Sequence, residues 1–375
     1  MRSASFQRPG LGQIVNKGNF YPPTARTPEG LAYGSRRKGA LICWNYASFY
    51  GGPWGNLLNT ARPAPSRSLV DVQNVNVDLW IATLVELGFD YVIFTIQEEH
   101  GFNFWPSRVP RNFAQVSLPT GPNGSAFLSP SAPDGPFGAR SGAMDCHIVD
   151  KLVAACKKYN MPLGLYMNML AQLEVFNATF DFNNHALASY PRYQEYQDYF
   201  CRLVQEVLIR WPYTSALWLD KANPTTPAFG QAVYNAAKAI NPSIFIMANT
   251  TGEYTMSPGR GPYDGQSIEE YVLLAGGNTS YQNRYRDFAG ASRYVEQEFV
   301  LTPHKNNQWY NYDDQNIFQF PNKPYLQFQP TSDFQRLLDL AKQQSVPVLM
   351  DILIDRNGNL VQQTLEYLSH LDFSR

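Results

Sequence analysis

Charge is scarce in this chain. Asp, Glu, Lys and Arg together make up 16% of 375 residues and nearly cancel, leaving a net charge of -1. No basic run exceeds Arg36-Arg37-Lys38, whereas a phosphate backbone needs a concentrated basic surface, so a nucleic-acid partner is excluded. Uninterrupted apolar stretches of bilayer length are missing, and the first residues lack the apolar core of a signal peptide. Neither a membrane nor export by that route is therefore expected, and the cytoplasm is the default compartment. Cysteine is rare, and Cys43, Cys146, Cys156 and Cys201 lack metal-ligand spacing, so they read as buried thiols and no metal centre is expected. No phosphate-cradling glycine fingerprint follows any apolar run, which argues against a nucleotide, and no cofactor is expected.

Aromatic residues are plentiful, at 14%, and many sit beside Asn, Gln and Gly. Most must serve core packing, yet the mixture also suits stacking on sugar rings and bonding their hydroxyls. Residues 1–36 are rich in Gly, Pro, Arg and Ser without a hydrophobic period, and read as an arm laid over the body or left partly loose, through which subunits could associate. From residue 37 onward, short apolar runs alternate with helical patterns. Runs of strand length occur at Gly39 to Trp44, Tyr91 to Ile96, Leu163 to Met167, Ala216 to Asp220, Ser243 to Ala248, Tyr294 to Leu301 and Pro347 to Ile354. Helical spacing occurs at Asp78 to Leu87, stopped by Gly88, and at Asp145 to Tyr159, Tyr193 to Arg210, Phe229 to Ile240, Phe334 to Gln343 and Leu360 to Leu371. With one further short segment at Ser267 to Leu274, about eight strands alternate with helices, the number that closes a (β/α)8 TIM-like barrel with long βα loops. An open doubly wound sheet has the same periodicity.

A barrel gathers the last residue of every strand on one rim. That rim would hold Trp44 and Asn45, Glu98, Glu99 and His100, Asn168, Asp220, Asn249, Glu298 and Asp351. Carboxylates and amides dominate. A glycosidase that retains configuration needs one carboxylate to attack the anomeric carbon and a second carboxyl, about 5 Å away, to protonate the departing oxygen. Asp220, closing the run ALWLD, is the expected nucleophile, because a strand end holds it more rigidly than a loop would. Glu270, Glu298 and Glu253 are the candidates for the acid/base. The aromatic side chains Trp44, Trp105, Tyr166 and Trp218 join the polar rim residues and Glu253 as expected sugar contacts. A metal site built from Glu98, Glu99, His100 and Asp351 is disfavoured, since adjacent residues of a strand point to opposite faces.

From about Lys38 to the C-terminus the chain resembles the α-L-fucosidase family of glycoside hydrolases. The family pattern FGIFIHWG is echoed by Gly39 to Asn45, and TTKHHDGF followed by WPS by Thr95 to Phe102 and Trp105-Pro106-Ser107. KFGLYYS is echoed by Pro162 to Asn168, and VLWFDG by LWLDKA, which puts Asp220 in the place of the family nucleophile. GNLLLNVGPDADGTI is mirrored by Pro347 to Leu360. The resemblance implies a barrel and a retaining glycosidase acting on a carbohydrate, with Glu270 before Tyr271 as the best match for the acid/base.

Departures from the pattern fall on the sugar pocket. The HWG histidine is replaced by Cys43, the two histidines of HHDGF by Glu98 and Glu99, and the aspartate by His100. Imidazole both donates and accepts, whereas an ionised carboxylate only accepts, so the pocket is expected to favour a sugar other than fucose, or one with a cationic substituent. The same losses motivate the alternative of a barrel that binds or assembles with carbohydrate without cleaving it.

Overall fold

The computed structural model describes residues 18–44, 75–97, 103–105, 107, 109, 148–169, 193–222, 226–249, 261–269, 273, 284–288, 290–304, 328–355 and 357–374. Strands β1 (Lys38–Ile42), β2 (Tyr91–Gln97), β3 (Leu163–Asn168), β4 (Ala216–Asp220) and β5 (Phe245–Asn249) follow one another around the wall. β6 (Gly265–Glu269), β9 (Glu296–Leu301) and β10 (Val348–Asp351) complete it, and β10 pairs back onto β1. Every pairing in the ring is parallel. The sheet is therefore a closed (β/α)8 barrel, which settles the question that periodicity alone leaves open.

Helices α2 (Val77–Glu86), α3 (Ile148–Lys158), α4 (Tyr193–Arg210), α5 (Pro227–Ile240), α6 (Thr331–Gln344) and α7 (Gln362–Ser369) surround it. Their ends carry ordinary chemistry. Asn76 and Thr226 accept bonds from backbone N–H groups of the first turn, and Pro227 opens α5 with a fixed φ and no N–H to satisfy. Gly88 follows α2 at φ +76, the left-handed conformation that lets the chain turn sharply into β2.

Alternation along the strands sorts side chains into two cores. On β4, Leu217 and Leu219 pack outward with the helices, whereas Ala216 and Trp218 join Leu41, Ile93, Tyr166, Met247, Val300 and Leu349 inside the barrel. Trp44 belongs to the outer layer. It is fully buried, stacks on Phe104, meets Trp80 edge-on and donates its indole N–H to the Asp355 carbonyl at 2.8 Å. The Gly358 N–H bonds the Asp355 carbonyl at 3.0 Å, and this turn anchors the layer, since Trp80 Nε1 also donates to the Gly358 carbonyl at 2.7 Å.

Two regions differ from the sequence reading. Residues 18–36 lie against the body, the first of the two readings of this segment, but they carry a helix that the sequence reading did not assign. Helix α1 (Pro28–Gly34), capped by Thr27 with Pro28 at its first turn, lies under the barrel and sends Tyr33 into its interior. Residues 1–17 lie outside the described residues. The run from Tyr294 to Leu301 is also not one strand: β7 (Tyr285–Phe288) and β8 (Ala291–Tyr294) form an antiparallel hairpin, and the chain passes Val295 before entering β9. The hairpin clamps the N-terminal segment, with Tyr294 N–H bonding the Pro23 carbonyl at 3.0 Å and Arg293 Nη1 the Pro22 carbonyl at 2.7 Å.

The floor under the barrel is closed by aromatic rings. Tyr33 stacks on Phe245 at 4.2 Å between centroids and tilts against Tyr91 at 5.7 Å, while the Arg36 guanidinium lies over both tyrosines. Gly39 leaves room for this arrangement: a Cβ there would sit 2.1 Å from Tyr91 Cζ. At the rim of the floor the buried Glu296 carboxylate pairs with both Arg26 and Arg284. Segment, hairpin and barrel are thus held by one ionic cluster.

Candidate active site

The C-terminal ends of β3 to β6 bring four polar side chains together. Asn168 pairs in register with Asp220 across β3 and β4, and Asn249 lies at the end of the neighbouring β5. Asp220 is 7% exposed. One of its oxygens accepts from Tyr166 Oη at 2.6 Å and Asn168 Nδ2 at 3.2 Å, and the other from Asn249 Nδ2 at 2.9 Å. All three neighbours donate, which is the environment of a carboxylate with its lone pairs presented and oriented. The following residue, Lys221, has φ 54, a left-handed conformation that a side chain rarely adopts. It turns the chain away directly behind Asp220.

The same Asn249 amide nitrogen also donates to Glu269 Oε1 at 2.7 Å. Two acceptors on one NH2 group fix the amide's orientation, and they fix the spacing of the carboxyls. With bonds of 2.9 and 2.7 Å, the two oxygens can be at most about 5.6 Å apart, short of the roughly 6.5 Å or more that an inverting pair needs. Glu269 is buried but keeps 7% exposure, as Asp220 does. Glu269 is not among the candidates picked from the sequence, and its neighbour Glu270, which is, lies outside the described residues. Gly265, Ser267 and Glu269 share one face of β6, and Gly265 lies against the interior residues Phe245 and Met247, which places that face inside the barrel.

Other expected site residues fall elsewhere. Glu298 faces the interior, but it is fully buried and sits at the floor, where it accepts bonds from Tyr33 Oη at 2.6 Å, Tyr91 Oη at 2.7 Å and Trp218 Nε1 at 2.8 Å. Burial raises its pKa, and the three donors oppose that rise. Enclosed in this way it cannot pass a proton to a departing sugar oxygen, so its expected role as acid/base is corrected. Trp44 and Trp105 are corrected too, because both side chains turn into the outer layer. Trp105 is 1% exposed, meets Trp211 edge-on and donates to the buried Glu206 of α4 at 2.9 Å. Trp218 lies inside the barrel against Tyr166, with centroids 5.1 Å apart and planes 16° from parallel. Asp351 closes β10 and is fully buried. Cys43 takes the Thr95 hydroxyl at 3.7 Å.

Asn45, Glu98, Glu99, His100, Glu253 and Glu270 lie outside the described residues. Among the described residues no group of three His, Cys, Asp or Glu side chains could hold a metal ion. The thiols of Cys156 and Cys201 are buried and pushed up to about 12, which makes them inert.

Fold and site together define a (β/α)8 barrel with a carboxylate pair at the C-terminal face of its strands, the face where barrel enzymes carry their chemistry. No protein-family model and no curated protein sequence matches the chain. Solved structures do, among them bacterial fucosidases. A bacterial fucosidase with a monovalent iminocyclitol inhibitor superposes with a TM-score of 0.62 at 14% identity, over 95% of this chain and 76% of that one. An α-L-fucosidase from Bacteroides thetaiotaomicron, trapped as a covalent intermediate, gives 0.61 at 16% identity over 95% and 76%. The α-L-fucosidase AlfC from Lactobacillus casei, with α-L-fucose product, gives 0.59 at 14% identity over 91% and 96%. The chain shares the fold of these enzymes along nearly its whole length.

Proposed function

We propose that this protein is a retaining glycoside hydrolase of the α-L-fucosidase type, acting on a deoxy-sugar glycoside, with Asp220 as nucleophile and Glu269 as acid/base. The observation that carries the reading is the Asn249 amide shared by the two carboxyls. In the first half of the reaction Asp220 attacks the anomeric carbon and the glycosidic C–O bond breaks, while the Glu269 carboxyl gives its proton to the leaving oxygen. A water then loses a proton to Glu269 and attacks the same carbon, releasing Asp220 and the sugar. Tyr166, Asn168 and Asn249 point three donors at Asp220 and hold it in one orientation throughout. Asn249 also couples the pair, since its NH2 spans both acids as charge shifts from one to the other.

The fucose and inhibitor complexes of the structural relatives support a fucose-like glycone, and the replaced pocket residues Glu98, Glu99 and His100 support a different pattern of hydroxyls around it. A panel of aryl α- and β-glycosides identifies the sugar. On the substrate that is cleaved, Asp220→Asn is expected to lower kcat by about 10³-fold or more and Glu269→Gln by about 10²- to 10⁴-fold. A 2-fluoro glycosyl fluoride should label Asp220 and no other residue. Full turnover by Asp220→Asn, or label on another carboxylate, sinks the proposal.

A further inference from the structure

The floor of the barrel and its mouth are linked through two stacked rings. Glu298 accepts the Trp218 indole N–H at 2.8 Å, the Trp218 ring lies flat on Tyr166, and Tyr166 Oη donates to Asp220 at 2.6 Å. From below, Tyr33 and Tyr91 both donate to the second oxygen of Glu298, at 2.6 and 2.7 Å. Tyr33 comes from α1 and not from any barrel strand, so this bond reaches across 265 residues of sequence. Arg36 lies over both tyrosine rings and adds a positive charge on the floor side. Among the described residues, Asn168 and Asn249 also donate to Asp220, and Asn249 donates to Glu269 as well.

We infer that Glu298 is a positioning residue for Asp220, acting through Trp218 and Tyr166, and that Tyr33 of the N-terminal segment completes the anchor. This rests on the proposed role of Asp220 for its consequence in catalysis, but the linkage itself does not. The physical reason is packing. An indole whose N–H is bound to a fixed, buried carboxylate cannot slide or rotate in its plane, and a phenol stacked on it inherits that restraint. Tyr166 then presents its hydroxyl to one Asp220 oxygen from one direction. If the indole is freed, the phenol gains a range of tilts and the carboxylate loses its most tightly held donor. Segment 18–36 is on this reading a part of the catalytic apparatus, attached from beneath the barrel.

Tyr33→Phe and Trp218→Phe test it, since neither changes net charge. The indole 15N–1H resonance of Trp218 reports the bond to Glu298, and the 13Cζ resonance of Tyr166, assigned with Tyr166→Phe, reports the bond to Asp220. Tyr33→Phe is expected to move both resonances, and to lower kcat about 3- to 10-fold at unchanged KM on the substrate found above. In a Trp218→Phe background the effect of Tyr33→Phe on Tyr166 should vanish, as a double-mutant cycle requires of groups in series. Tyr159→Phe, whose hydroxyl bonds the peripheral Asp78 at 3.1 Å, is the control that should move neither. An unmoved Tyr166 resonance in Tyr33→Phe, or the same displacement in both backgrounds, overturns the inference. Should Tyr33→Phe not fold, Trp218→Phe decides alone: Tyr166 must lose its hydrogen-bonded resonance and regain none of it when Glu298→Gln is added. The resonances are read without turnover, so a protein that cleaves no glycoside refutes the proposed function while leaving this outcome legible.

Discussion

Asp220 and Glu298 are both inward-facing carboxylates of the same barrel, and their surroundings are opposite. Asp220 stands at the mouth with amide and phenol donors and a remnant of exposure, next to a second carboxyl; Glu298 stands over the floor with three donors and none. Depth decides the difference. Asp220 is the last residue of its strand, whereas Glu298 is the third residue of β9, with Val300 still to come on the same face. A carboxylate at the mouth can exchange its protein contacts for a substrate. One at the floor keeps its protein partners and acts only through what it holds in place.

If that contrast is right, damage to the floor should appear mainly as lost stability, with only the modest loss of turnover that passes through Trp218 and Tyr166, and damage to the mouth as a large loss of turnover. Glu296→Ala has the largest expected effect on folding. It leaves Arg26 and Arg284 facing a void where their shared carboxylate was, and because both guanidinium groups are partly solvated, a loss of about 3 kcal/mol in urea unfolding is expected, at the low end for a broken buried pair. Gly39→Ala comes next. Its Cβ would collide with the Tyr91 ring, and overpacking of this kind costs about 1–3 kcal/mol, measured as a lower Tm.

Glu298→Gln sharpens the comparison through pH. Burial raises the Glu298 pKa above its ordinary 4.5, so the folded protein holds this proton more tightly than the unfolded chain. Its contribution to stability is full below 4.5 and is lost as pH rises through the folded value. The unfolding free energy of the wild type should therefore fall over that window more steeply than that of Glu298→Gln; parallel curves would show that the carboxyl titrates alike in both states. The smallest effect belongs to the mouth. Lys221→Gly removes a side chain from a left-handed position, so a gain of at most about 1 kcal/mol is expected. A measurable loss of kcat in that variant would show that the rigid turn also steadies Asp220.

Much of this architecture was legible beforehand. The run ALWLD is β4 to the residue, and Tyr193–Arg210 is α4 to the residue, because a fully buried parallel strand and a long amphipathic helix each leave a strong period. Asp220 was legible for the same reason. Trp44 and Trp105 were misplaced because position near a strand end does not say which face a ring takes, and here both serve the layer between sheet and helices. Glu269 was missed because the boundary of β6 is blurred by Gly, Ser and Gln, so parity could not be counted from a firm start. Helix α1 carried a readable signal, Thr27 and Pro28 before Glu29, which the surrounding Gly and Arg masked.

By itself the order of residues determined the alternation of strands and helices and the chemistry available at each strand end, since both are local properties of periodicity and side-chain type. Only the closed barrel decided which carboxyl meets which. Curvature and register bring Asn249 between Asp220 and Glu269, and carry Tyr33 from the far end of the sequence to Glu298, and such distances depend on packing that no local pattern encodes.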